Sequence, residues 1–199
     1  MICLATFLYA LVGGPETGKT SIIEALKANE ELTVREVATD FILERKEAGV
    51  SEPWFEQDFQ LNILKRHIGR EEEAVAQAER LSKGRVFLDR SMVDGYVYKT
   101  FHGNTEDEEF QAIDQIIKRF DLNKHYKAIF LVTPHNGSDF VCTQDVVRHE
   151  NTDESLRLTA LTSEIYQKHC PLIIEVPSNM TPEERAQFVL ECVNDIEKS

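Results

Sequence analysis

Apolar residues fall into two patterns along this chain: short continuous runs, and longer stretches in which they return every three or four positions. Five runs stand out, at residues 6–12 (TFLYALV), 32–37, 85–89 (RVFLD), 128–132 (AIFLV) and 172–176 (LIIEV). Runs of that length with little polar alternation suit strands buried on both faces. Helical spacing predicts helices over 20–29, 40–46, 56–81, 92–100, 107–120, 153–168 and 181–197. Breaks fall at 49–54, 82–84 and 103–104, rich in Gly, Ser, Pro or Asn, and Thr181 and Glu184 are spaced as a capping box. The charged stretch Arg70-Glu71-Glu72-Glu73 inside the long helix reads as a solvated face, and residues 139–150 fit neither pattern. Strands alternating with helices and no internal repeat predict an α/β fold: a five-stranded parallel sheet with helices on both faces, spanning 1–199 as one domain. Ligands are then expected outside the carboxyl ends of the strands.

Composition narrows the partners. The 199 residues are 42% hydrophobic, enough for a full core, and carry a net charge of −13. That balance argues against nucleic acid as a partner, because phosphate backbones select basic surfaces. An anionic ligand then needs a local device to overcome the general repulsion. Cys3, Cys142, Cys170 and Cys192 lie far apart, which signals neither a disulfide framework nor a zinc knuckle and suits a reducing compartment. Residues 1–12 are apolar except for Thr6, but no basic stretch precedes them and no small-residue cleavage site follows. Twelve residues also fall short of the roughly 20 that span a bilayer as a helix. The chain reads as soluble and cytoplasmic with no membrane insertion, the sequons at Asn136 and Asn179 idle; nothing indicates its oligomeric state.

The local device sits at the end of the first run. Gly13-Gly14-Pro15-Glu16-Thr17-Gly18-Lys19-Thr20 fits G-x-x-x-x-G-K-[ST], entered by a buried strand and left by a helix that begins with Thr20 and Ser21. Glycines let the backbone curl so that successive N–H groups point at phosphate oxygens, and the helix adds its positive dipole end. In this reading Gly13 to Ser21 bind the nucleotide, Lys19 reaches the β- and γ-phosphates, and the Thr20 hydroxyl holds Mg²⁺. Glu16 stands where many such loops have Gly. Asp89, ending the third run, is placed to bind the metal opposite Thr20. It is followed by Arg90-Ser91 rather than by a water-activating Glu, which disfavours ATP hydrolysis as the main task. Arg90 suits an anionic transition state, or else a surface salt bridge.

Other constellations fail. His149-Glu150 lacks the second histidine of H-E-x-x-H, and no G-x-S-x-G occurs. Asn123-Lys124-His125-Tyr126 ends in Tyr where the guanine-reading N-K-x-D needs Asp, and it precedes the fourth strand.

The ordered set Gly13-Gly14-Pro15-x-x-Gly18-Lys19-Thr20, Glu36-Val37-Ala38, Pro53-Trp54-Phe55 and Leu88-Asp89-Arg90-Ser91, continued by Asp145-x-x-Arg148, resembles the small NadR-like AAA domain family. Its kin include the ribosylnicotinamide kinase domain of NadR proteins. The resemblance covers nearly the whole chain and implies a kinase-like P-loop NTPase fold. It implies that Glu36 is a candidate base facing an acceptor hydroxyl, a helix-capping or surface acid being the alternative. It also implies a lid segment near 135–157 whose Arg148 reaches the triphosphate, while Arg157 reads as an exposed helix-face residue. The family often carries Arg where this chain has Thr39, with Asp40 next. The acceptor is expected between residues 36–40 and 53–58, with Asp40, Trp54 and Phe55 as substrate-binding candidates; the two aromatics serve either as stacking platforms or as core plugs.

Together these readings predict a Mg²⁺-dependent phosphotransferase moving the γ-phosphoryl of ATP or GTP to a small hydroxylated, nucleoside-like acceptor. The catalytic candidates are Lys19, Glu36, Asp89, Arg90 and Arg148, with Thr20 and Asp89 for the metal. A nucleotide-dependent binding or switch module and a slow NTPase are the alternatives.

Overall fold

The computed structural model describes residues 6–134, 150–170 and 172–198. Of the expected lid, residues 135–149 with Asp145 and Arg148 lie outside the described residues. Five strands, β1 (Phe7–Val12), β2 (Thr33–Val34), β3 (Arg85–Asp89), β4 (Tyr126–Val132) and β5 (Ile173–Val176), pair in parallel in the order β2-β3-β1-β4-β5. The first strand of the sequence is thus the middle of the sheet, and β2 and β5 are its edges.

Side-chain alternation on β1 divides the core. Tyr9 and Leu11 face one side, where they pack with Ile22, Ile23 and Leu26 of α1 (Lys19–Ala28) and with Ala186, Val189 and Val193 of α8 (Pro182–Lys198). Leu8, Ala10 and Val12 face the other, against α3 (Phe59–Arg80), α4 (Asp94–Phe101), α5 (Glu108–Ile117) and α7 (Thr152–His169). The predicted strands and helices are present with shifted ends. The second strand shrinks to Thr33–Val34 because α2 (Val37–Glu47) already begins at Val37, after Glu36. The long helix starts at Phe59 rather than 56, since a 3₁₀ turn at Pro53–Phe55 and a left-handed Asp58 (φ 58°) precede it. A short helix, α6 (Leu122–His125), leads into β4. The Thr181–Glu184 capping box forms, with both backbone-to-side-chain bonds in place. Among the described residues no helix is long and apolar enough to cross a membrane.

One expectation is corrected. The charged centre of α3 is not all solvated: Glu72 and Glu73 are exposed, but Glu71 is buried at 2% exposure. Its carboxylate accepts hydrogen bonds from Tyr126 Oη and His125 Nε2, each at 2.7 Å, and His67 Nε2 approaches to 3.1 Å without hydrogen-bond alignment. Tyr126 Oη in turn accepts from Met92 N–H at 3.1 Å, tying α3 to the turn after β3. Helical periodicity puts Glu71 four residues after the buried His67, so one stripe of α3 carries both.

Burial by itself would raise the Glu71 pKa, but the hydrogen bond from His125 and the closeness of His67 outweigh it and bring it from 4.5 down to about 2. A carboxyl whose folded pKa lies below its unfolded one stabilises the fold at neutral pH and loses that contribution as pH falls. Glu71→Ala should cost about 2–4 kcal/mol in urea unfolding at pH 7, the cost of leaving the buried Tyr126 hydroxyl and the part-buried His125 ring without their acceptor. In Glu71→Gln the loss of stability between pH 4.5 and 2 should be shallower than in the unaltered chain.

Candidate active site at the carboxyl edge of the sheet

The loop leaving β1 is shaped by space. A Cβ on Gly13 (φ 144°) would lie 2.3 Å from the Val132 carbonyl oxygen, and one on Gly14 would lie 2.3 Å from that of Ser155. Both glycines are therefore required by close backbone approach, to β4 on one side and α7 on the other. Helix α7 also holds the loop by hydrogen bonds, Gly14 N–H to Thr159 Oγ1 at 3.0 Å and Ser155 Oγ to the Pro15 carbonyl at 2.6 Å. Gly18 (φ 96°) turns the chain into α1. Glu16 adopts a left-handed φ of 57°, a conformation where Gly is at ease and an L side chain is strained by about 1–2 kcal/mol.

Lys19 is buried, and its Nζ donates to the carbonyls of Gly14 (2.7 Å) and Gly13 (3.1 Å). Burial and the nearby Arg90 charge draw its pKa down to about 8, against the opposing pull of Asp89, Glu36 and Asp94. Thr20 Oγ1 donates to Asp89 Oδ2 at 2.8 Å, while Asp89 Oδ1 is buried with no hydrogen-bond partner. An orphaned carboxylate oxygen beside a threonine hydroxyl at the mouth of a phosphate loop is a hard-oxygen donor set, and it fits Mg²⁺. Burial and the charge of Glu36 raise the Asp89 pKa, the setting in which a nearby cation would favour the ionised form.

Arg90 is held from two sides. Its Nε donates to Glu36 Oε1, and its Nη1 donates to Asp94 Oδ2 at 2.9 Å. Asp94 is itself held by Tyr166 Oη of α7 at 2.6 Å, and Tyr166 also hydrogen-bonds Ser91. Arg90 has a left-handed φ of 75° and packs over the Tyr98 ring. Glu36 stands at the N-terminus of α2 but makes no cap bond; it is spent on Arg90 and on Thr39 Oγ1, which donates to it at 2.9 Å. Burial pushes the Glu36 pKa up, but the Arg90 and Lys19 charges hold it well below the usual carboxylate range, so it is an anion at neutral pH. Arg90 is therefore not a surface arginine, nor Glu36 a cap.

Two clefts flank this ion pair. One is lined by Glu16, Gly18, Lys19, Thr20 and Ser21. The other has apolar walls from Ile42, Trp54, Phe59 and Ile63, with Gln60, His67, Asp94 and Tyr98 among its other walls. Glu36 and Arg90 line both, so one ion pair is the shared wall.

The remaining candidates divide. Trp54, half-buried, lines the second cleft, whereas Phe55 is 78% exposed and outside it. Asp40 is also outside: α2 turns it toward α3, where it accepts from Arg70 at 2.6 Å and Arg35 at 3.4 Å. Phe55 falls at the end of the 3₁₀ turn, one residue beyond the one facing inward. Arg157 is exposed on α7, stacked over Phe101. The sequence reading missed Asp94, Ser155, Thr159, Tyr166 and Arg185. The placement of Asp94 four residues after Arg90 was the one legible signal; the others arrive from distant helices and carry no motif.

Residues 8–185 match the AAA domain family. Among solved structures, a NadR protein in complex with NAD and AMP-PNP superposes with a TM-score of 0.65 at 12% identity, covering 98% of this chain and 50% of that one. A NadR protein in complex with NR gives 0.64 at 14%, covering 96% and 50%. Deoxyadenosine kinase from M. mycoides, with products dCMP and a flexible dCDP bound, gives 0.62 at 12%, covering 95% of this chain and all of the other. The chain thus spans half the length of the NadR proteins it resembles. No curated protein matches by sequence. At these identities the solved structures establish a P-loop kinase-like fold. The match of 8–185 establishes the family: this chain belongs to the AAA domain family.

Proposed function

We propose that the protein is a phosphotransferase that moves the γ-phosphoryl group of ATP or GTP to a hydroxyl of a small, nucleoside-like acceptor. The observation that carries this reading is the shared wall: a phosphate-binding cleft and a half-apolar cleft meet at Glu36 and Arg90. A phosphoryl group held at Lys19 and a hydroxyl held beside Trp54 would face each other across that pair. The kinases among the fold relatives, one of them a deoxyadenosine kinase, add to its support.

The residues divide the work. The backbone amides of Gly13 to Ser21 and the positive end of α1 hold the β- and γ-phosphates, and Lys19 leaves its loop carbonyls to follow them. Mg²⁺, when bound by Thr20 and Asp89, would supply charge neutralisation at the phosphates. Arg90, kept in place by Asp94 and Tyr166, presents positive charge to the transferring group. Glu36 is ionised and positioned to orient the acceptor hydroxyl and take its proton as the bond to phosphorus forms. Trp54, Phe59 and Tyr98 give a flat acceptor an aromatic surface. Arg148, the remaining catalytic candidate, would cover the triphosphate.

A panel of nucleosides and related polyols with Mg-ATP and Mg-GTP should show acceptor-dependent formation of diphosphate; acceptor-independent phosphate release alone would instead favour a slow NTPase. Lys19→Ala should lose tight triphosphate binding by calorimetry. Glu36→Gln should leave that binding within a few-fold yet lower turnover by about 10²–10⁴. Affinity for a non-hydrolysable triphosphate should be flat up to about pH 8 and then weaken by about tenfold per pH unit, as free Lys19 loses its proton; Lys19→Ala should not show that break. Glu16→Gly, which removes both a carboxylate from the phosphate cleft and a strained φ, should tighten triphosphate binding by about three- to tenfold.

A further inference from the structure

Arg185 is a buried arginine on α8, 4% exposed, far in sequence from every motif. Its guanidinium donates to four backbone carbonyls: Nη1 to Thr17 at 3.0 Å, Nη2 to Ser178 at 2.9 Å and to Thr133 at 3.4 Å, and Nε to Pro177 at 3.0 Å. Those carbonyls belong to three segments: the phosphate loop, the end of β4, and the turn between β5 and α8. Among the described residues its hydrogen-bond partners are all neutral, so its positive charge is not spent on a carboxylate.

The consequence for the phosphate loop follows from peptide geometry. In a trans peptide the C=O of one residue and the N–H of the next point in opposite directions. Fixing the Thr17 carbonyl on Arg185 therefore turns the Gly18 N–H away from Arg185. Arg185 lies on the far side of the loop: Nη1 is 3.2 Å from where a Gly18 Cβ would stand, yet Gly18 and not Arg185 lines the phosphate cleft. We infer that Arg185 is a positioning residue for the phosphate site, holding the Thr17–Gly18 peptide so that the Gly18 N–H faces a bound phosphate. The guanidinium's five donors, fixed in a plane, serve all four carbonyls at once, whereas a lysine ammonium has three donors at a single point. The same fork ties that amide to the 177–178 turn. The inference rests on the phosphate-loop reading, not on phosphoryl transfer to any particular acceptor.

The test uses the full chain, ¹⁵N-labelled and titrated with ADP and separately with adenosine, as the unaltered protein, Arg185→Lys and Lys19→Ala. In the unaltered chain the Gly18 amide should move downfield with ADP and stay in place with adenosine. Arg185→Lys should bind ADP about tenfold more weakly, the size of one charge-assisted hydrogen bond, and lose most of the Gly18 displacement. If Arg185→Lys keeps both the affinity and the displacement, Arg185 is a structural pillar only and the inference fails. If the Gly18 amide of the unaltered chain ignores ADP while Lys19 responds, the orientation argument fails alone. If neither responds, and Lys19→Ala binds ADP like the unaltered chain, the phosphate-loop reading fails with it. Should Arg185→Lys not fold, the Nε–H resonance of Arg185 in the unaltered chain decides: it should shift with ADP and not with adenosine, and a resonance indifferent to both overturns the inference.

Discussion

Two glycine backbones pressed between a strand and a helix set the geometry on which the site depends. Gly13 meets the carbonyl of Val132, and Gly14 meets that of Ser155, with no room for a methyl group at either contact. Because β1 is the central strand, its loop emerges in the middle of the carboxyl edge, with β3 and β4 on either side. Asp89 and Arg90, at the end of β3, are thereby brought beside Thr20 and Gly13. The parallel pairing of β1 with β3 aligns Leu11 with Asp89, so the register of the sheet fixes the distance between loop and carboxylate. Strand order, loop compression and candidate metal site are consequences of one packing arrangement.

Helix α7 has more work than covering the sheet. Its buried polar face carries Ser155 and Thr159, which hold the phosphate loop, and Tyr166, which holds Asp94 and Ser91. A helix face that is half hydroxyl costs burial energy unless each group finds a partner, and here each does. The same helix thus braces both halves of the candidate site, the glycine-rich loop and the turn that presents Arg90.

Electrostatics resolves the tension between a chain of net charge −13 and the anionic ligand proposed for it. The cations around the loop are Lys19 and Arg185, both buried, and Arg90, whose side chain is 11% exposed. Arg90 is partly neutralised by Glu36 and Asp94, which keeps it in a defined orientation at the cost of free charge. Lys19 and Arg185 are held on carbonyls instead, so their charge remains available. Surface acidity acts across solvent and is screened within about 8–10 Å, whereas Lys19 and Arg90 line the cleft itself and Arg185 acts from behind the loop.

The alternating runs and helical stripes were enough to read five strands, their parallel pairing and the phosphate loop, because a doubly covered strand must be apolar throughout and a phosphate loop needs glycines at set spacing. Asp89 and Arg90 were legible for a related reason: they end an apolar strand, where a parallel sheet exposes its site. Glu71 was misread because a charge run in a helix says nothing about which of its members faces inward; His125 and Tyr126, more than fifty residues away, decide that. Asp40 and Phe55 sat in the right stretch of chain but on the wrong side of their helix and turn, where a single residue's rotation separates the cleft from solvent. Asp94, Tyr166 and Arg185 owe their roles to contacts across the fold. Local pattern carries what local geometry demands, and it is silent on which distant side chain completes a hydrogen bond.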